Sequence, residues 1–138
     1  REQQAMSDIT PSQSAHAVVA STSNGAGSTT RGTFDKRGKA GAILTLKIAN
    51  GGTGPTVGCT CSVLIAHNDG ATPAAASAGA DWKTLWAFGG GTAANLVTER
   101  SFRVGPEVQH VEVEFTGNTG QAVTVEAYLT VIDKYVAA

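Results

Sequence analysis

The sequence predicts an all-β protein: an antiparallel β-sandwich of about eight short strands, with a jelly roll as the favoured topology. Three observations lead there. Apolar residues recur with period two in one segment after another, turns rich in Gly, Pro and Asn separate those segments, and no stretch sustains a 3.6-residue apolar period. An immunoglobulin-like sandwich is the competing arrangement, although the cysteine spacing of antibody domains is absent.

The elements follow in chain order. Residues 1–14, REQQAMSDITPSQS, are polar, and Pro11 interrupts regular structure, so an extended N-terminal arm is expected there, with 15–138 as a single sandwich domain. From Ala15 the texture becomes β, up to the Gly/Ser/Asn stretch at Ser23–Ser28. A short segment, Thr29–Phe34, runs into the basic turn Asp35-Lys36-Arg37-Gly38-Lys39. In GAILTLKIA, residues 41–49, Leu44, Leu46 and Ile48 share one face, and the Gly/Pro-rich run to Pro55 is a loop. In CTCSVLIAH, residues 59–67, the shared face is Cys59, Cys61, Val63 and Ile65, and Asn68-Asp69-Gly70 is the turn that follows. The small-residue tract Ala71–Ala80 offers little for a helix to pack with and reads as loop. Trp82, Trp86 and Phe88 alternate with Lys83 and Ala87 up to Gly89-Gly90-Gly91, and a strand carrying Arg100, Phe102 and Val104 ends at Gly105-Pro106.

The last two segments read as a hairpin. Val111, Val113 and Phe115 form one apolar stripe, and Val123, Val125, Ala127, Leu129 and Val131 form the other. Residues opposite one another in an antiparallel pair share a face, so Phe115 must lie opposite an odd-numbered residue. The three residues Asn118-Thr119-Gly120 supply the odd loop, with Gly120 in the left-handed conformation.

Composition narrows the function. The 138 residues fit one domain large enough to hold a core without staples. With aromatics at 6% and charged residues at 15%, the surface suits flat protein contacts. Ten Lys and Arg against eleven Asp and Glu argue against a nucleic-acid partner, which demands a basic excess. No run approaches the roughly 18 apolar residues of a membrane helix, and Arg1-Glu2-Gln3-Gln4 leads into no signal-peptide core, so neither a membrane nor secretion is expected. Cys59 and Cys61 would sit about 6.5–7 Å apart on one strand face, at the limit for a disulfide, which suggests folding in a reducing cytoplasm. Buried small hydrophobes are the reading for this pair, against soft-metal or redox chemistry.

No catalytic set emerges, and neither an enzyme nor a cofactor or metal is expected. His16, His67 and His110 are scattered over separate segments. His110-Val111-Glu112 lacks the Pro-Cys-x-x-Cys that completes a deaminase site. Gly89-Gly90-Gly91-Thr92 lacks the lysine and helix of a phosphate loop, and no Gly-x-Ser-x-Gly occurs. Glu112 and Glu114 are expected on the solvent side of an edge-like strand. The cluster Arg31, Lys36, Arg37 and Lys39 is either a dock for an acidic partner surface or a solvated turn. Trp82 and Trp86 are either core anchors or an exposed platform for sugar.

The stretch VEVEFTGNTGQAVTVEAYLTVIDKY, Val111 to Tyr135, resembles small virion proteins of tailed bacteriophages, in particular the cement proteins that decorate the capsid shell. The likeness extends to the Gly/Ala/Thr-rich texture of most of the chain. It implies a jelly roll made in the bacterial host cytoplasm, located on the virion surface, self-associating as a dimer or trimer and binding the major capsid protein. It carries no catalytic residues. The arm, with Ile9 and Pro11, and the basic residues Arg31, Lys36, Arg37 and Lys39 would be the candidate interface. The alternative is a carbohydrate-binding β-sandwich of a phage accessory or receptor-binding protein.

Overall fold

A computed structural model describes residues 9–68 and 81–137. Eight strands run in order as β1 (Ile9–Asn24), β2 (Thr30–Asp35), β3 (Gly41–Asn50), β4 (Thr60–Ala66), β5 (Trp82–Gly89), β6 (Val97–Val104), β7 (His110–Thr116) and β8 (Val123–Ala137). They form two four-stranded antiparallel sheets, β1-β8-β3-β6 (sheet A) and β2-β7-β4-β5 (sheet B). This is the strand order of a jelly roll, as expected.

The period-two stripes build the core. Leu44, Leu46 and Ile48 of β3 lie beside Val125, Ala127, Leu129 and Val131 of β8, and they pack on Val111, Val113 and Phe115 of β7 and Cys61 and Val63 of β4. On the side of the sandwich where β1 and β2 meet, Gly32 lets the edges touch: a Cβ there would lie 2.0 Å from the carbonyl oxygen of Val18.

The C-terminal hairpin does not form. β7 pairs with β2 and β4 in one sheet, and β8 pairs with β1 and β3 in the other. The parity argument holds for either arrangement, because two apolar stripes that would share a face in a hairpin also face each other across a sandwich. What distinguishes the two is the connection. Gly117 (φ 94°) and Gly120 (φ 81°) turn the chain from sheet to sheet, and Asn118 between them is wholly buried. Its amide donates to the Asn24 carbonyl (3.1 Å) and the Gln121 carbonyl (2.9 Å) and accepts from Asn24 Nδ2 (2.7 Å). Thr30 Oγ1 donates to Asn24 Oδ1 at 2.7 Å, so the crossover is tied to the end of β1 and the start of β2. Satisfied buried amides fix one arrangement of these loops.

Two further expectations are corrected. Residues 9–14 of the expected extended arm are regular structure, the first part of β1, with Ile9 opposite Ala137, Pro11 opposite Tyr135 and Ser14 opposite Val131. Pro11 is accommodated because β1 is an edge strand, where a missing N–H breaks no ladder bond. Since β3 joins β8 only from Gly41 opposite Ile132, the pairs beyond it form a two-stranded ribbon reaching past the sandwich. Second, the two tryptophans occupy different faces. A bulge at Leu85 shifts the register, so Trp86 lies opposite Val63 on the core side and Trp82 lies opposite Ala66 on the outer side. The remainder of the proposed arm and the 69–80 tract fall outside the described residues.

Candidate functional site

The basic cluster is not a free positive patch. Lys36 is 0% exposed, and its Nζ has no hydrogen-bond partner. It follows Phe34 by two residues and so shares that side chain's inward direction. Burial pulls the Lys36 pKa down, opposed by the Glu107 carboxylate. Lys36 therefore cannot dock a partner, contrary to its expected interface role. Arg31 grips Glu114 through Nη2 (2.6 Å) and Nε (2.9 Å). Arg37 grips Asp35 through Nη2 (2.7 Å) and Nε (2.9 Å), and that hydrogen-bonded guanidinium holds the Asp35 pKa down at about 2. Lys39 Nζ lies 2.9 Å from Asp133 Oδ1.

Glu112 lies on the face the pattern gave it, but neither at an edge nor in solvent. β7 is a central strand of its sheet, and Glu112 is 3% exposed on the face opposite the core, with no hydrogen bond to Oε2. Burial pushes its pKa up, against the pull of Arg31, whose Nε stands 3.9 Å away. The neighbouring Glu114 adds to the upward push.

Ser14, His16 and Asp133 meet where β1 pairs with β8. Ser14 Oγ donates to Asp133 Oδ2 at 2.7 Å, and His16 Nε2 stands 3.0 Å from the same Oγ. In a nucleophilic triad the imidazole bridges serine and carboxylate. Here the serine bridges the other two and gives its single proton to the carboxylate, so the hydroxyl is not activated. The Lys39 and Ser14 hydrogen bonds keep the Asp133 carboxyl below its usual pKa. His110 Nε2 lies 3.1 Å from the Asn68 carbonyl oxygen, away from this group. Among the described residues no three His, Cys, Asp or Glu side chains are grouped to hold a metal ion.

Cys59 and Cys61 are buried free thiols, in keeping with their reading as small core residues. Burial raises the Cys59 pKa to about 11 and raises that of Cys61 as well. Thiolate is the reactive form. Both thiols should therefore resist a maleimide in the folded protein and label fully in urea, which mass spectrometry reads directly. Rapid labelling of either cysteine in the native state would contradict their placement.

The surface feature that stands out is apolar. Ile9 (59% exposed), Pro11 and Tyr135 (58% exposed) lie on one side of the ribbon, with Val136 exposed on the other. That first side continues along the outer face of sheet A through Ile43 and Tyr128, both exposed. A groove of about 270 Å³, lined among others by Gln13, Ile43, Arg103, Thr130, Ile132 and Tyr135, opens between the ribbon and the sheet. Of the residues expected at an interface, this surface includes Ile9 and Pro11. Arg31, Arg37 and Lys39 lie outside the groove lining. The sequence signal for Ile43 and Tyr128 was their parity: each sits at an outward position, where a half-solvated strand normally carries a polar side chain.

The chain matches no protein-family model and no curated protein. Solved structures do resemble it. Tripeptidyl peptidase 2 aligns with a TM-score of 0.50 at 7% identity, covering 85% of this chain and 10% of that one. The enzymatically active domain of tailspike protein 4 from bacteriophage CBA120 aligns at 0.48 and 13%, covering 91% and 20%. A family 29 carbohydrate-binding module from Piromyces equi aligns at 0.44 and 11%, covering 86% and 91%. The chain thus spans a tenth and a fifth of the first two. These likenesses concern the fold, a β-sandwich module that occurs in proteins of several kinds.

Proposed function

We propose that this chain is a structural virion protein that binds the outside of a tailed-phage capsid and stabilises the shell of the major capsid protein. The observation that carries the reading is the apolar ribbon, with Ile9, Pro11 and Tyr135 displayed beside Ile43 and Tyr128. Large apolar and tyrosine side chains on a rigid sheet are the anchors protein interfaces use, whereas a soluble monomer has little reason to display them together. The neighbouring charges, Arg103 above all, would form the polar rim. A module that binds the assembled shell and not its separated subunits shifts the equilibrium toward the shell. Repetition over many identical sites adds avidity.

The carbohydrate reading required an exposed tryptophan platform. Trp82 is buried, and Trp86 packs against Phe102 at 4.8 Å between ring centroids and against Phe88 at 5.5 Å. Its main support is therefore missing.

Co-sedimentation with phage capsid shells lacking this protein tests the proposal. The wild-type chain should pellet with the shells. The double variant Ile9→Asp with Tyr135→Asp should lose at least about tenfold in affinity, the scale of a lost hot-spot pair. Arg37→Ala, which breaks an exposed ion pair with Asp35 away from the ribbon, should bind as wild type. Binding by the double variant at wild-type strength, or glycan binding by the isolated protein without shell binding, would overturn the reading.

A further inference from the structure

A sandwich of two open sheets has four edge strands, and each edge is a template for pairing unless something blocks it. Three of the four are blocked. β1 carries Pro11 and three register shifts along its length. β2 has only six residues and is pressed against β1 where Gly32 meets Val18. β5 is broken by its bulge at Leu85. β6 differs: its eight residues, Val97 to Val104, pair without interruption with Ala49 to Ala42 of β3, and it contains neither proline nor glycine. It is a regular strand whose second edge pairs with no other strand among the described residues.

What β6 has instead is charge, in Glu99, Arg100 and Arg103. Charged side chains ordinarily keep an edge apart from others. Their arrangement decides otherwise here. Arg100 is turned to the core side, 5.8 Å from the centre of the Phe88 ring. Glu99 and Arg103 share the outer face, and neither side chain has a hydrogen-bond or ion-pair partner among the described residues. Arg31, Arg37, Lys39 and Lys47, by contrast, are all paired within the chain.

We propose that β6 pairs with β6 of a second copy of this chain, antiparallel about a two-fold axis at Ser101, joining the two A sheets into one. Sheet geometry restricts the register. Residues opposite each other in an antiparallel pair are alike in the direction of their backbone groups and in the face of their side chains, so the two residue numbers must sum to an even value. A two-fold at Glu99 would place two glutamates opposite each other, and one at Arg100 two arginines. A two-fold at Phe102 leaves Glu99 and Arg103 without charged partners. The register centred on Ser101 sets Glu99 of each copy against Arg103 of the other, so both unpaired charges are matched twice. An isologous contact of this kind closes at two and does not grow into a fibre. The inference shares Arg103 with the rim of the proposed shell-binding surface but is tested apart from it, because it concerns the protein alone in solution.

A single cysteine at the axis tests the register. Antiparallel partners have Cα atoms about 4.5–5.5 Å apart, within disulfide range, and the native cysteines are buried. Ser101→Cys should cross-link to a dimer on mild oxidation, and Thr98→Cys should not. Charge exchange gives a second readout by sedimentation velocity. Glu99→Arg alone and Arg103→Glu alone should each weaken the dimer about tenfold, because like charges then stand opposite. An equimolar mixture of the two variants should form a heterodimer at wild-type strength. A wild-type protein that is monomeric at all concentrations, equal cross-linking at positions 98 and 101, or no recovery on mixing would overturn the proposal.

Discussion

Replacing Phe115 with alanine is expected to destabilise the protein by about 3–5 kcal/mol, the range for a buried aromatic truncated to a methyl group. For a chain of this size that corresponds to a fall in Tm on the order of 10–20 °C. The upper part of the range is expected because of the neighbours. Phe115 is wholly buried on β7, directly opposite Thr30 on one side and Cys61 on the other. Both are small, and neither can swing into the space the ring leaves. The crossover just beyond, held by the Asn118 and Asn24 amides, prevents the strand from shifting inward to collapse the cavity. Urea denaturation followed by tryptophan fluorescence measures the effect. A loss below about 1 kcal/mol would mean that this part of the core is not packed as described.

Lys36→Met should act in the opposite direction and stabilise the protein by about 1–3 kcal/mol at neutral pH. Methionine keeps the length of the side chain and removes a buried amine that has no hydrogen-bond partner. The sign with pH follows from burial pulling the Lys36 pKa below its ordinary 10.5. Between the folded-state value and 10.5 the unfolded chain holds a proton the folded chain does not, so wild-type stability rises with pH through that window. The variant lacks this slope, and its advantage should shrink as the pH approaches 10.5. Paired denaturation curves at pH 7 and pH 10 measure both effects. A destabilised variant at pH 7 would show that the amine is better accommodated than its surroundings indicate.

The architecture was legible in the sequence because burial on one face imposes period two, and that pattern survives in Leu44/Leu46/Ile48 and in Val123 through Val131. Which stripe pairs with which was not legible. Phe115 and Val123 satisfy the same parity as hairpin neighbours or as opposing faces, and the decision lies in Asn118, whose partner Asn24, itself bonded by Thr30, is 94 positions away. The bulge at Leu85 was equally silent, since one extra residue reverses the face of everything beyond it without changing composition. At the candidate interface, the basic cluster is conspicuous because charge is scarce in this chain, yet Lys39 and Arg31 are paired with Asp133 and Glu114, far along the sequence, and Arg37 with its neighbour Asp35. The apolar residues that do face solvent were visible only as exceptions to the alternation, at Ile43 and Tyr128. Pro11 misled in the other direction, because a proline breaks a central strand but not an edge.

The position of β8 between β1 and β3 has a consequence for how the protein is made. Until residues 123–137 leave the ribosome, β1 has no neighbour in its sheet, and β2 likewise waits for β7. The pairs β3–β6 and β4–β5 can form earlier, but neither layer is complete until β7 or β8 has been made, which implies slow maturation dominated by contacts between distant parts of the chain. During that interval the nascent protein exposes its apolar strands to aggregation, so chaperone supply or a lower growth temperature should govern the yield of soluble material more than the final stability does.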